Sequence, residues 1–295
     1  MPMRPEVFHR LTPLLVVVLL AGCVTTPESE ERTADTPDPV LQELAGLLPG
    51  HYVTPTQADS SQVLALEVVA DPAAAHEQLR LLMIQTRMDR PDDPPRQFEW
   101  LLESAGNTED RLIATFAPMD RAGRIQRRCG MQVTVRRDGL TSQTDPQECR
   151  FGEGEQLTGL LKEIAFDGSQ IVIGDRLISI PGGEPQGNDQ VTRFMLSRHF
   201  SGWAGVREGG DWRMASTISL QTGLGSIEPH DAARMDLGLR VELNHYLMRR
   251  TDEVKLRLSV TDTESGQLLG EAWADADARS IGIALPDLQV GLEMN

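Results

Sequence analysis

From residue 41 onward the apolar positions follow two rhythms. Leu41, Leu44, Leu47 and Leu48 recur at helical spacing behind Asp38-Pro39, a capping side chain followed by a proline suited to the first helical position. Pro49-Gly50 ends that short helix. After it nearly every segment alternates with period two. Met131, Val133 and Val135 alternate with polar partners, as do Leu237, Leu239, Val241 and Leu243, and again Leu256, Leu258 and Val260. The same pattern predicts strands at Val63–Ala70, Gln78–Met88, Gln97–Glu103, Arg111–Phe116, Gln170–Ile173, Val191–Phe200, Ser216–Gln221, Leu268–Ala274 and Leu288–Met294. Turn signals separate them at Asp138-Gly139, Asp167-Gly168, Pro181-Gly182-Gly183 and Glu264-Ser265-Gly266. No strand–helix–strand alternation and no fixed-period repeat interrupts this. The pattern predicts an all-β chain: one large antiparallel barrel or strongly curved sheet over residues 40–295. Two barrels in series, divided at Ile180–Asp189, are the alternative. A closed barrel leaves no free strand edge and can enclose a cavity.

The first residues change the picture by setting a compartment. Arg4 and Arg10 flank the start of an apolar run, Leu11–Leu20, too short to span a bilayer, which is the layout of an export signal. It ends in Leu20-Ala21-Gly22-Cys23, which resembles the bacterial lipobox. That resemblance implies removal of residues 1–22 and a lipid on Cys23; an ordinary secretory signal is the alternative. Val24 stands where a charged residue would signal inner-membrane retention, so the resemblance points to a lipid-anchored, periplasm-facing protein of the outer membrane. Residues 23–39 are rich in Pro, Thr and acid and nearly devoid of apolar side chains, the composition of a disordered tether.

Charge and cysteine use narrow the function classes. The net charge of −16 and the lack of a basic stripe with interleaved aromatics exclude nucleic acid as a partner. The membrane partner is reached through the lipid on Cys23, not through charge. With Cys23 set aside, Cys129 and Cys149 form an even pair in an oxidising compartment. A disulfide between them would contribute about 3 kcal/mol. A metal pair or a reactive thiol are the other readings, although two cysteines with no histidine nearby make a poor zinc site.

Several stretches together resemble the CpcT/CpeT chromophore-lyase family. They are LAGLLPGHYVTPTQAD at residues 44–59, Pro95-Arg96-Gln97-Phe98-Glu99-Trp100, and Cys129-Gly130 with Cys149 across an alternating strand. The resemblance covers about residues 41–180 and implies a calyx-like (lipocalin-like) antiparallel β-barrel behind a short N-terminal helix. It also implies a paired-cysteine hairpin, a commonly dimeric state, and a bound linear tetrapyrrole that photosynthetic members deliver to a partner thiol. Two features depart from the family. An exported protein sits in a different compartment from cytoplasmic bilin attachment, and Phe98 followed by Glu99 replaces the usual arginine and aromatic.

The candidate ligand-binding residues follow. Arg87 and Arg96 can hold a carboxylate bidentately, or be outward strand arginines. Gln97 shares the Arg96 motif. Tyr52 and Gln57 can form a hydrogen-bonding rim, or simply close the helix-to-strand turn. Trp100 and Trp203 offer faces for stacking, with Arg198 close to the latter in sequence, while the bland reading of a barrel tryptophan is core. Asp275 and Asp277 read as a solvated turn rather than a cation site. His245 reads as an ordinary strand histidine. No nucleophile elbow, zinc-protease helix or phosphate-cradling loop occurs, so no catalytic or metal residue is assigned and no cofactor is required. Three functions stay open: a binding module for a small apolar or tetrapyrrole-like ligand, a bilin lyase or chaperone acting on a partner's thiol, and a structural outer-membrane lipoprotein with a filled barrel.

Overall fold

The computed structural model describes residues 38–57, 62–71, 77–105, 112–137, 139–180 and 182–295. Cys23 and the lipobox lie outside them, as do Asp138 and Pro181 of two expected turns.

The helix α1 (Pro39–Leu47) forms as its spacing predicts. Asp38 caps it through Oδ1, which accepts from the Val40 N–H at 2.9 Å, and Asp38 Oδ2 accepts from Ser104 Oγ at 2.9 Å, tying the helix to the sheet. Leu41, Leu44 and Leu48 are buried, whereas Leu47 faces outward.

The chain then winds one large sheet from β1 (Gly50–Val53), β2 (Leu64–Ala70), β3 (Gln78–Arg87), β4 (Arg96–Ser104), β5 (Leu112–Pro118), β6 (Cys129–Arg136), β7 (Gly139–Thr144), β8 (Arg150–Phe151), β9 (Thr158–Phe166), β10 (Gln170–Ser179) and β11 (Pro185–Leu196). Every ladder is antiparallel. The order β10-β11-β1-β2-β3-β4-β5-β6-β7-β9, with β9 returning to β10, closes a ten-stranded barrel, and β8 adds to the free part of β9. The expected all-β fold with a closed antiparallel barrel and one short helix is therefore what the chain adopts.

Pleat alternation fixes which side chains enter the barrel. Val68, Leu81, Met83, Trp100, Leu102, Phe116, Met131, Ile164, Ile171 and Phe194 join Leu41, Leu44 and Leu48 of the helix in one buried apolar cluster. One end of the barrel is plugged by α1, and its interior there is packed side chains. The sulfurs of Cys129 and Cys149 are bonded within the same cluster. This is the disulfide reading of the cysteine pair.

The barrel is complete at Leu196, short of the 40–295 extent expected from periodicity. From His199 the strands build two other sheets. One is β13 (Asp211–Gln221), β12 (His199–Glu208), β19 (Leu288–Met294) and β18 (Ser280–Ala284). The second is β14 (Ser226–Ile227), β15 (Leu239–Met248), β16 (Glu253–Asp262) and β17 (Leu268–Asp275). Their inner faces share a second apolar core, including Phe200, Ile218, Val241, Leu258, Val290 and Leu292, so the C-terminal part is a β-sandwich. The expected single strand Val191–Phe200 is broken here. Ser197 and Arg198 leave the barrel and bond to Thr222: Ser197 Oγ donates to the Thr222 carbonyl, and the Arg198 N–H donates to Thr222 Oγ1 at 2.8 Å. The junction is also welded by Thr56, whose N–H donates to the His245 carbonyl at 2.8 Å and whose carbonyl accepts from Leu247 at 3.0 Å. Gly223, at φ +75°, lies so close to Val53 that a β-carbon would come within 3.1 Å of it.

Candidate functional site

The barrel interior changes character toward the end opposite the helix. On β3 the inward series runs Leu79, Leu81, Met83, then Gln85 and Arg87; on β4 it runs Leu102, Trp100, Phe98, then Arg96. On β9 and β10 it runs Phe166 and Ile164 to Lys162, and Ile171 and Ile173 to Asp175; on β11 it runs Phe194 to Thr192 and Gln190. Polar side chains thus replace apolar ones at one level on these five strands, and this partial collar opens into a cavity of about 660 Å³. Leu64, Gln85, Arg87, Arg96, Gln190 and Thr192 contribute to its lining, and Arg121 and Asp93 reach it from the loops.

The wall beside the collar is also open. The β1–β11 ladder is only two residue pairs long, Tyr52 with Leu196 and Val53 with Met195, because the chain after Val53 turns toward β15 of the sandwich. A second cavity of about 370 Å³ lies at this notch, touched by Gln57, Arg193 and Asp252. It shares Gln62, Leu64, Val191 and Thr192 with the first.

Charge in the collar is partly neutralised. Arg87 pairs with Asp89 at 2.7 Å, a bond that raises the guanidinium pKa and holds the Asp89 carboxyl below the usual range. Arg96 is exposed and makes no ion pair among the described residues. Beneath it, the Lys162 ammonium is 5% exposed. It is bonded to Asp175 Oδ1 at 2.9 Å and lies 4.7 Å and 5.1 Å from the ring centroids of Phe98 and Phe116. Burial pushes its pKa below the ordinary lysine value, with Asp175 opposing and the Arg96 charge adding to the fall.

The Lys162–Asp175 pair is asymmetric, since the Asp175 side chain is 39% exposed and can be rehydrated. Asp175→Ala should destabilise by about 2 kcal/mol, less than the cost of breaking a fully buried pair, because it strands the ammonium. Lys162→Met should be neutral or stabilising. Urea midpoints of the two variants test this; equal, small shifts would mean that Asp175 does not hold the charge.

The predicted residues distribute as follows. Arg87 and Arg96 line the barrel mouth and Gln57 lines the notch. Tyr52 is not at a rim: it is fully buried at the helix end and donates from its hydroxyl to the Leu48 carbonyl at 2.8 Å, and burial raises its pKa. Trp100 lies in the barrel core with its indole N–H buried and unpartnered among the described residues, and neither cavity reaches it. Gln97 is on the outer phase of β4, half-buried. Phe98, at the family's arginine position, points inward under Lys162, whereas Glu99 points outward and is held by Arg128 at 2.6 Å and Arg80 at 3.3 Å. Arg198 belongs to the barrel–sandwich junction and Trp203 to the outer face of the sandwich. Asp275 is ion-paired with Lys255 at 2.9 Å. Lys162 and Asp175 were not among the predicted residues. Their signal was present, because each occupies the apolar phase of its strand.

No family model matches the chain and no curated protein matches it. Among solved structures, a selenomethionine form of the CRL protein of Arabidopsis is similar, at 11% identity and a TM-score of 0.39, over 53% of this chain and 97% of that one. The resemblance to the CpcT/CpeT family thus stands on its motifs, and what is established is the closed β-barrel.

Proposed function

We propose that this protein is a binding module, lipid-anchored through Cys23 to the outer membrane and facing the periplasm. Its barrel mouth would hold a small ligand with an apolar body and an anionic group, a linear tetrapyrrole being one such molecule. The observation that carries this reading is the cavity of about 660 Å³ whose inward-phase lining joins Leu64 to Arg87 and Arg96. That volume is typical of small-molecule sites, and an unpaired guanidinium at the rim suits a carboxylate. A bilin lyase would use the same cavity and add only orientation toward a partner's thiol. The structural reading, a filled barrel, draws its support from the packed interior below the collar.

Native mass spectrometry of the protein recovered from its own envelope tests these together. The expected spectrum has residues 1–22 gone, a covalent acyl mass on Cys23, and a further non-covalent mass on the monomer or homodimer. Arg96→Glu should lose that further mass, its ligand binding about tenfold to a hundredfold weaker. A bare barrel, or undiminished occupancy in the variant, would leave the filled-barrel reading in its place. An unacylated mature chain would remove the anchor.

A further inference from the structure

The two faces that the sandwich turns outward differ in chemistry. Across β14-β15-β16-β17 the face is a lattice of ion pairs: Arg240 with Glu228 at 2.8 Å, Lys255 with Asp275 at 2.9 Å and Arg257 with Glu271 at 2.9 Å. Its tryptophan, Trp273, is 43% exposed, but its ring already has partners: the Arg257 guanidinium lies 5.3 Å from the centroid and Tyr246 makes a T-shaped contact with it. This is what a solvated face looks like in a chain with 24% charged residues.

The outer face of β13-β12-β19-β18 carries instead a cleft of about 770 Å³ whose lining holds a single charge, Glu293, and no lysine or arginine. One wall is Trp203, 38% exposed and, among the described residues, without a ring or cation partner. The indole stands over Gly291, where a β-carbon would come within 2.9–3.2 Å of Nε1, Cε2 and Cζ2. Gly291 is thus floor for the indole itself, and its register partner on the next strand, Gly282, leaves the floor beside the ring without a side chain. Ser201, Ser216, Thr217 and Ser280 line the same cleft, the Ser201 hydroxyl donating to Asn295 Oδ1 and so left to accept.

These features converge on one ligand chemistry. An open indole presents a negative π-face, which favours the slightly positive C–H face of a pyranose ring. A floor without side chains gives that ring room to lie down. Hydroxyls that both donate and accept, with one carboxylate acceptor, match the alternating hydroxyls of a sugar. The missing cations and the net charge of −16 turn away phosphorylated, sulfated and uronate chains. We propose that this cleft is a binding site for a neutral pyranose chain, separate from the barrel mouth.

The test is calorimetric titration of the full chain with a soluble N-acetylglucosamine hexamer, a neutral glucose hexamer and a galacturonate hexamer. Binding of at least one neutral hexamer and exclusion of the uronate are expected; preference for the acetylated chain would identify amino sugars as the source. Trp203→Ala should weaken binding at least tenfold with circular dichroism and thermal midpoint unchanged, and Trp273→Ala should leave it as it was. Ser216→Ala, a smaller change on the exposed rim, should weaken it severalfold. No heat with either neutral hexamer at millimolar concentration, or equal binding by the Trp203 variant, would overturn the proposal. So would a dimer in sedimentation that Trp203→Ala dissociates, which would make the face a contact between copies.

Discussion

Replacing Cys129 and Cys149 together by alanine is expected to lower the unfolding free energy by about 3 kcal/mol, the entropy of closing a loop with a sequence separation of 20. The bond staples β6 and β7 against the start of β8, so the loop it closes is itself a hairpin of the barrel wall. Both residues are within the apolar cluster, at 2% and 0% exposure, so reductant should attack only after the chain opens. Thermal and urea unfolding should therefore shift down in dithiothreitol in proportion to incubation under unfolding conditions, while the untreated native protein keeps its midpoint. An unchanged midpoint in the double variant would show that the hairpin is already ordered in the unfolded chain.

A loss of comparable size should come from acid, and from one histidine. His245 is 5% exposed, in the inward phase of β15, and its Nδ1 is buried without a partner among the described residues. Burial pushes its pKa down to about 4, and the nearby Arg198 charge adds to the fall. A hydrogen bond to the Ala276 backbone opposes it. Because the folded value lies below the unfolded 6.5, the unfolded chain binds more protons between those two pH values. Stability is then intact above pH 6.5 and falls as the pH drops toward 4, by about 3 kcal/mol at the lower end. Carboxylates with depressed pKa values, such as Asp167 and Asp231, add their own acid losses. The informative quantity is the difference from His245→Leu, which keeps those losses and removes the histidine's. Urea titrations at pH 7 and pH 4 should show the wild type losing about 3 kcal/mol more than the variant; equal losses would mean that His245 is protonated in the folded state.

What could be read in advance was phase. Val68, Met83, Met131 and Val241 all alternate as strands do, and all are buried. What alternation does not encode is the partner across the ladder. Leu66 and Leu243 obey the same period, yet one faces a barrel interior and the other a sandwich core. The division at Leu196 was therefore invisible, and β9 and β12 were passed over because glycines or polar residues interrupt their apolar runs. For the mouth, Arg87 and Arg96 were found through the motif and through guanidinium chemistry. Lys162 and Asp175 required a different question, namely which polar residues occupy an apolar phase. Trp100 and Trp203 were indistinguishable as letters, because burial depends on the neighbouring strands: one packs in the barrel core and the other stands above Gly291.

The short pairing of β1 with β11 also sets an order of events for the emerging chain. Hairpins β2–β3, β3–β4, β6–β7 and β10–β11 are local and can form as soon as they are made. The first strand pairs with β2 as early, but its other edge waits for Leu196 and Met195, and its continuation at Thr56 waits for Tyr246. Until then the wall is an open ribbon with two sticky edges, at a time when a long loop has still to be closed. The wall thus stays unshut until β11 has been made, and the weld at Thr56 can be set only after Tyr246 has followed it.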